Sequence, residues 1–334
     1  MNVLRTASTA AVILAFFVVM LGAFTRLTDA GLGCPDWPGC YGQFVLPSTH
    51  DALAKAQREY PHTPIESRKA WTEMGHRYAA GMLVVLIVVI ACEVLRYRRQ
   101  GLSLPWVLPV VLFVLIGFQA ALGMWTVTLK LLPVVVMGHL LGGILIFTCL
   151  SYFRWQLSVV RGASMPVWRI WVTMGCVIVF CQIALGGWVS ANYAGVACIG
   201  FPQCNGQWLP TRHLARSFHL FQSIGANYQG GLLDTESRVT IQMLHRLGAI
   251  VTATYVLFVS GLMLCRIHLT SIRIVALAAI IIVLMQFSLG VLNVVYLLPL
   301  WVAVAHNGVA ALLLATMASL RYLVVKGAVY ARCA

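Results

Sequence analysis

Four histidines and one glutamate carry the chemistry open to this sequence. Glu73 and His76 stand three residues apart in Trp71-Thr-Glu-Met-Gly-His-Arg77, at the mouth of a long apolar run. On a helix that spacing puts both side chains on one face, one turn apart. His139, His245 and His306 lie in three further apolar runs. Ionisable or ligating groups are costly in a membrane helix, so they face a protein-lined cavity and mark function. Imidazole is a metal ligand and carboxylate a general base. The set therefore points to haem or a comparable site held between two histidines, with proton transfer beside it. A lone histidine would more simply be hydrogen-bonded to a neighbour; four at matched positions call for more.

The elements that must position these groups follow from composition. Of 334 residues, 60% are hydrophobic and 10% charged, with a mean hydropathy of +0.88, far from a soluble globular chain. The sequence predicts an all-α membrane protein. Windows of about 20 apolar residues, enough to cross a bilayer, fall near 8–25, 72–95, 105–127, 133–153, 168–190, 239–264, 272–296 and 300–322. Eight spans result. The first ends in Thr-Arg-Leu-Thr without a small-residue cleavage site, so it reads as a retained helix and not a secretory leader.

Charge orients the spans. With the N-terminus in the cytoplasm, the inner segments hold Arg5, Arg96, Arg98, Arg99, Arg154, Arg161, Arg169, Arg266, Arg273, Arg321, Lys326 and Arg332 against Glu93 alone. The outer segments hold the other bases and every other acid. Short basic loops belong on the inside, which predicts a bacterial cytoplasmic (inner) membrane protein. Topology and anionic lipid account for the net charge of +14, so no nucleic-acid partner is implied. Cys34/Cys40 and Cys198/Cys204 then fall in oxidising outer loops, each pair with five residues between, and two disulfides are expected. A staple is the simpler reading of each, with a redox relay open for Cys34/Cys40. Cys92, Cys149, Cys176, Cys181 and Cys265 lie in the spans as small apolar residues.

An internal repeat organises the chain. Leu21-Gly-Ala-Phe24 matches Leu185-Gly-Gly-Trp188 at an offset of 164, as do Cys34 with Cys198 and Cys40 with Cys204. His76-Arg77 matches His245-Arg246 at 169, while Gln119-Ala-Ala-Leu-Gly123 matches Gln286-Phe-Ser-Leu-Gly290, and His139 matches His306, at 167. Each copy has four spans, so both enter the membrane in the same direction. The expected architecture is two four-helix bundles, 1–153 and 168–334, joined by a cytoplasmic linker, 154–167, and related by a pseudo-two-fold axis along the membrane normal. All four histidines then sit in the outer leaflet, His76 with His139 and His245 with His306, as axial ligands on two sides of one iron require. Gly75, Gly138, Gly142, Gly248 and Gly308 are expected to leave room for the rings, and Arg77 and Arg246 to meet propionates. Glu73 becomes Gln242 in the second copy; an amide is no general base, so the chemistry belongs to the first bundle. Helix-end stabilisation of Glu73, or pairing with Arg77, stays open as a structural alternative. Of the outer loops, 51–69 is charged and broken by Pro61 and Pro64, and Arg212 to Phe221 is a short amphipathic stretch suited to the membrane surface.

Taken together, Arg26-Leu-Thr-Asp-Ala-Gly-Leu-Gly-Cys34-Pro-Asp-Trp-Pro-Gly-Cys40, Glu73-Met-Gly-His76-Arg77, Gly138-His139, His245-Arg246 and His306-Asn307 resemble the haem A synthase family, in its bacterial form with cysteine pairs in the outer loops. The likeness covers essentially the whole chain. It implies oxidation of the C8 methyl of haem O to the formyl of haem A by successive hydroxylations with oxygen from water. By position, His76 and His139 would bracket the substrate haem O and Glu73 would assist proton removal. His245 and His306 would ligate a resident haem b that passes electrons. The implied partners are membrane lipid, a haem O synthase, cytochrome oxidase assembly, and a quinone or other electron acceptor; a homo-oligomer stays open. Without the likeness, a di-haem b-type cytochrome linking quinone to an outer-side partner accounts for four histidines equally well, but not for a carboxylate in one copy only. A transporter would need ionisable residues near the midplane, which the spans lack.

Overall fold

In the computed structural model all residues are described except 62, 159, 161, 209–213, 221 and 326–334. His62, His213, Arg161, Lys326, Arg332 and the ends of the amphipathic stretch, Arg212 and Phe221, lie outside the described residues. Among those described, the chain is helical: α1 (Asn2–Leu27), α2 (His50–Glu59), α3 (Ser67–Arg99), α4 (Val107–Thr128), α5 (Pro133–Gln156), α6 (Pro166–Ala191), α7 (Leu214–Ser217), α8 (Thr235–Arg266), α9 (Thr270–Val295) and α10 (Leu300–Val325). No strand forms among them, and the β-pairing consists of two isolated bridges, Cys40–Gln43 and Cys204–Gln207. Eight helices, all except α2 and α7, are long and apolar enough to cross a membrane. This is a multi-pass membrane protein.

Local chemistry sets the helix ends. Proline at the first position starts α5 and α6, where its missing N–H costs nothing. Asp234 caps α8 by accepting the Ser237 N–H at 2.7 Å; that bond holds its carboxyl below the usual carboxylate range. Several buried hydroxyls within the spans bond to their own helix, as Ser8 does to the Leu4 carbonyl at 2.6 Å, Thr148 to Ile144 at 2.8 Å and Ser319 to Ala315 at 2.7 Å. Apolar surroundings offer no other partner.

The helices close into two rings. In one, α1 packs on α3, α3 on α4, α4 on α5 and α5 on α1; in the other, α6, α8, α9 and α10 follow the same circuit. The rings meet where α1 touches α10, α5 touches α6 and α5 touches α10. Exchanging each helix for its repeat mate leaves this set of contacts unchanged. The connections repeat too: left-handed backbone recurs at Asp29 and Tyr193, Tyr41 and Asn205, Gly42 and Gly206, Lys130 and Leu297, Leu131 and Leu298, at offsets of 164 and 167.

Between helices in lipid, apolar burial adds little, so close approach through small residues decides packing. Gly308 on α10 faces Met20 and Phe16 of α1, and a Cβ there would lie 3.2 Å from Met20 Cγ. Gly187 on α6 faces Met137 of α5 in the same way. The seam is also clasped by polar groups at repeat-matched positions. Arg26 donates to the Ser190 carbonyl at 2.5 Å and lies 3.9 Å over the Tyr193 ring, whose hydroxyl bonds Asp29 at 3.1 Å.

Candidate functional site: two histidine pairs

His76 reaches the first ring from α3 and His139 from α5. Their ring centres are 6.3 Å apart and nearly perpendicular, at 84°. Two imidazoles on opposite sides of one metal, with metal–nitrogen bonds of about 2.0–2.1 Å, put their ring centres roughly 6 Å apart. The separation thus suits a single iron between them. In the second ring His245 comes from α8 and His306 from α10, within electrostatic reach of each other. Among the described residues no group of three or more His, Cys, Asp or Glu side chains is arranged to hold a metal ion. Two imidazoles at each place would suit a porphyrin iron, whose other ligands are its own ring nitrogens.

Each imidazole lies over a glycine of a neighbouring helix. A Cβ on Gly22 of α1 would meet His76 Cε1 at 3.1 Å, one on Gly123 of α4 would meet His139 Cε1 at 3.2 Å, one on Gly186 of α6 would meet His245 Cε1 at 3.0 Å, and one on Gly290 of α9 would meet His306 Cε1 at 3.2 Å. These four form two repeat-matched pairs. They replace the glycines expected from the sequence. Gly75 has nothing within 4 Å of its Cβ position, Gly138 faces Leu122, Gly308 faces α1, and Gly142 and Gly248 take the amides of Gln119 and Gln182. The expectation looked beside each histidine on its own helix, whereas the ring is seated by the helix opposite.

The Nδ1 atoms of His76, His139 and His306 are buried without a hydrogen-bond partner. Gln119 donates to the His139 carbonyl at 2.5 Å, Gln182 lies 3.0 Å from His245 Nδ1 and 2.9 Å from its carbonyl, and Gln286 lies 3.2 Å from His306 Nε2. Sequence reasoning aligned Gln119 with Gln286 but passed over Gln182, which has no glutamine mate: position 18 is valine.

Glu73 is buried, 4% exposed, and its carboxylate turns to the cysteine loop. It accepts the Cys34 N–H at 2.9 Å and pairs with Arg77. Although Glu73 and His76 share a side of α3, they engage different elements, the one a loop and the other α1. Arg77 donates to the carbonyls of Asp36 at 3.0 Å, Pro38 at 3.2 Å and Gly39. Arg246 donates to those of Cys198 at 2.6 Å, Gly200 at 3.0 Å and Gln203 at 3.2 Å. Both guanidiniums, read from sequence as propionate contacts, are thus engaged in holding the loops onto α3 and α8. The two expected disulfides, Cys34–Cys40 and Cys198–Cys204, are formed, and around the first a small core gathers Tyr41, Leu46, Ala56, Ala70 and Met74. Of the other histidines, His50 opens α2 on the surface, 3.9 Å from Asp51, and His219 and His268 lie in loops.

Fold and site together define a multi-pass helical membrane protein with paired, half-buried histidines at the end where its disulfide-closed loops lie. Residues 5–318 match the COX15-CtaA family model, described as cytochrome oxidase assembly protein. The chain belongs to this family. A heme A synthase from Shewanella oneidensis is 42% identical over 315 residues, covering 91% of this chain and 92% of that one. One from Allorhizobium ampelinum is 30% identical over 336 residues, covering 93% and 88%, and one from Caulobacter sp. is 28% identical over 334 residues, covering 91% of each.

Proposed function

We propose that this chain is a haem A synthase, oxidising the C8 methyl of haem O to the formyl of haem A. The observation that carries this reading is His76 and His139 facing each other at 6.3 Å, with a buried carboxylate one turn away in that ring only. The relatives' names supply the reaction. Overall, the methyl and one water become the formyl with release of four protons and four electrons, by successive hydroxylations whose oxygen comes from water.

In this reading His76 and His139 bind and orient substrate haem O, over the seats made by Gly22 and Gly123. Glu73, anchored by Arg77 and the Cys34 N–H, takes protons released at the methyl or stabilises positive charge there. His245 and His306 hold a haem b, which supplies a one-electron carrier to a quinone or other acceptor. The glycine seats at Gly186 and Gly290, each against an imidazole, suit that group. The disulfide-closed loops lie on the outer side of a bacterial inner membrane and the N-terminus in the cytoplasm, with membrane lipid around the spans. A haem O synthase supplies the substrate and cytochrome oxidase assembly consumes the product.

The test is co-expression with a haem O producer followed by haem extraction. A formyl haem that appears only with this chain is the expected result. A haem pool left unchanged would overturn the reading in favour of a di-haem b-type cytochrome.

A further inference from the structure

At the end of the molecule away from the disulfide-closed loops, α1 begins and α5 finishes side by side. An open cleft of about 440 Å³ lies there, lined by Arg5, Thr6, Thr9, Ala10 and Ile13 of α1 and Arg154 of α5. Arg154 is held in place: its Nε donates to the Thr9 hydroxyl at 2.9 Å, and its guanidinium also donates to the Ser158 hydroxyl at 2.8 Å. Thr9 in turn donates to the Arg5 carbonyl at 2.9 Å. Among the described residues neither arginine forms an ion pair, and Glu93, the one described acid at this end, pairs with Arg96 at 3.4 Å. Thr6, Ala10 and Ile13 follow at helical spacing, so the polar mouth gives way to apolar surface, and Ile13 and Phe17 stand exposed one turn apart below it.

The repeat mate of this place is built otherwise. Arg169, Thr173 and Arg321 match Arg5, Thr9 and Arg154 at offsets of 164 and 167, and Arg321 likewise donates to Thr173, at 3.1 Å. Thr6 and Ala10, however, become Ile170 and Met174, both exposed. Ser158 becomes Val325, and Arg321 also bonds Tyr152 across the seam. The second copy thus turns bulky apolar side chains outward where the first has a cationic hollow.

We propose that this cleft binds the phosphate of an anionic phospholipid headgroup, with an acyl chain running down over Ile13 and Phe17. Two guanidiniums without an acid to neutralise them complement that charge, and arginine meets phosphate through paired N–H donors. Basic pockets between spanning helices recognise such headgroups. The bonds to Thr9 and Ser158 hold Arg154 against the cleft before any phosphate arrives, so little ordering remains to be done on binding. A soluble anion would use the charge but not the apolar track beneath it; a lipid uses both. His139 and Arg154 are 15 residues apart, about 22 Å along α5, so this site is separate from the His76/His139 pair.

The experiment is native mass spectrometry of the purified full chain, titrated with phosphatidylglycerol or with phosphatidylcholine of the same acyl chains. Wild type holds phosphatidylglycerol in preference to phosphatidylcholine. Arg5→Gln with Arg154→Gln weakens that binding by roughly thirtyfold, each base near a headgroup being worth about fivefold. Arg99→Gln with Arg169→Gln removes the same charge from exposed positions at the same end and leaves the binding unchanged. Arg5 is exposed, so Arg5→Gln alone, with a loss of about fivefold, reads the site should the double variant fail to fold. Equal loss in the two double variants would overturn the proposal in favour of diffuse attraction to a basic face, as would equal affinity of wild type for the two lipids. Soluble glycerol phosphate binding as tightly as the lipid would make the occupant a small anion and overturn it too.

Discussion

Where the first cysteine loop meets α3, Glu73 accepts the Cys34 N–H and the Arg77 guanidinium. At the matched place in the second ring, Gln242 donates to the Gly195 carbonyl at 3.4 Å, and Arg246 has only loop carbonyls. One ring thus keeps a buried carboxyl group one turn from its histidine and the other a neutral amide. In the second, Gln182 lies 3.0 Å from the Nδ1 of His245, whereas its repeat mate, His76 Nδ1, has no partner among the described residues. The two halves of a repeated scaffold thus differ by a handful of side chains, a difference that the proposed division between a substrate site and a resident haem site would use.

The largest effect expected from this division is in haem content. His245→Ala or His306→Ala abolishes the Soret band of the resident haem in purified protein, whereas His76→Ala or His139→Ala spares it; equal loss from all four would erase the distinction between the rings. Next comes Glu73→Gln, which copies Gln242 into the first ring. It lowers formyl haem production by about 10²–10⁴-fold, the usual worth of a positioned general acid or base, while the resident haem spectrum stays the same. Full activity in this variant would reduce Glu73 to a loop anchor.

Smaller effects sharpen the comparison. Valine at Gly186 or Gly22 crowds an imidazole whose Cε1 is already 3.0 or 3.1 Å from the Cβ position. Overpacking of about 1–3 kcal/mol weakens resident haem binding in Gly186→Val and substrate use in Gly22→Val, each by roughly tenfold to a hundredfold and each sparing the other ring. Binding assays that fell together in both variants would contradict separate seats. Smallest is the loss of a disulfide, worth about 2 kcal/mol for so short a loop by the chain-entropy account. Serine at Cys198 and Cys204 lowers the Tm with little change in formyl output. Serine at Cys34 and Cys40 lowers both, because only that loop's backbone meets the carboxylate.

Hydropathy made all eight spans legible, though α3 and α8 begin and end beyond their apolar windows. Their hydrogen bonding continues through charged turns, in α8 from the Asp234 cap. The pairing of His76 with His139 was legible too, from equal depth in repeat-matched helices. The glycine seats were not: Gly22 and Gly186 entered the sequence reading only as part of a repeated tetrapeptide. Which ring they face depends on helix rotation in the assembled bundle. Gln182 was hidden for the opposite reason, since a repeat search highlights what both copies keep and passes over what one has changed. The helix α2 escaped notice because its ten residues, six of them polar, give no apolar window; its one local cue was the Thr49 cap, which accepts the Ala52 N–H at 3.3 Å.

α10 has 67% of its most apolar window buried, against 39% or less for every other spanning helix, and it touches α1, α5, α6 and α9. Of the eight described spanning helices it also comes last in the chain. Seven helices must therefore wait in the bilayer, with the second circuit open and His245 unmatched, until this one arrives. A nascent chain halted before Leu300 carries a single complete imidazole couple, His76 with His139. Order in the chain thus makes the half that holds His245 and His306 the later of the two to be finished.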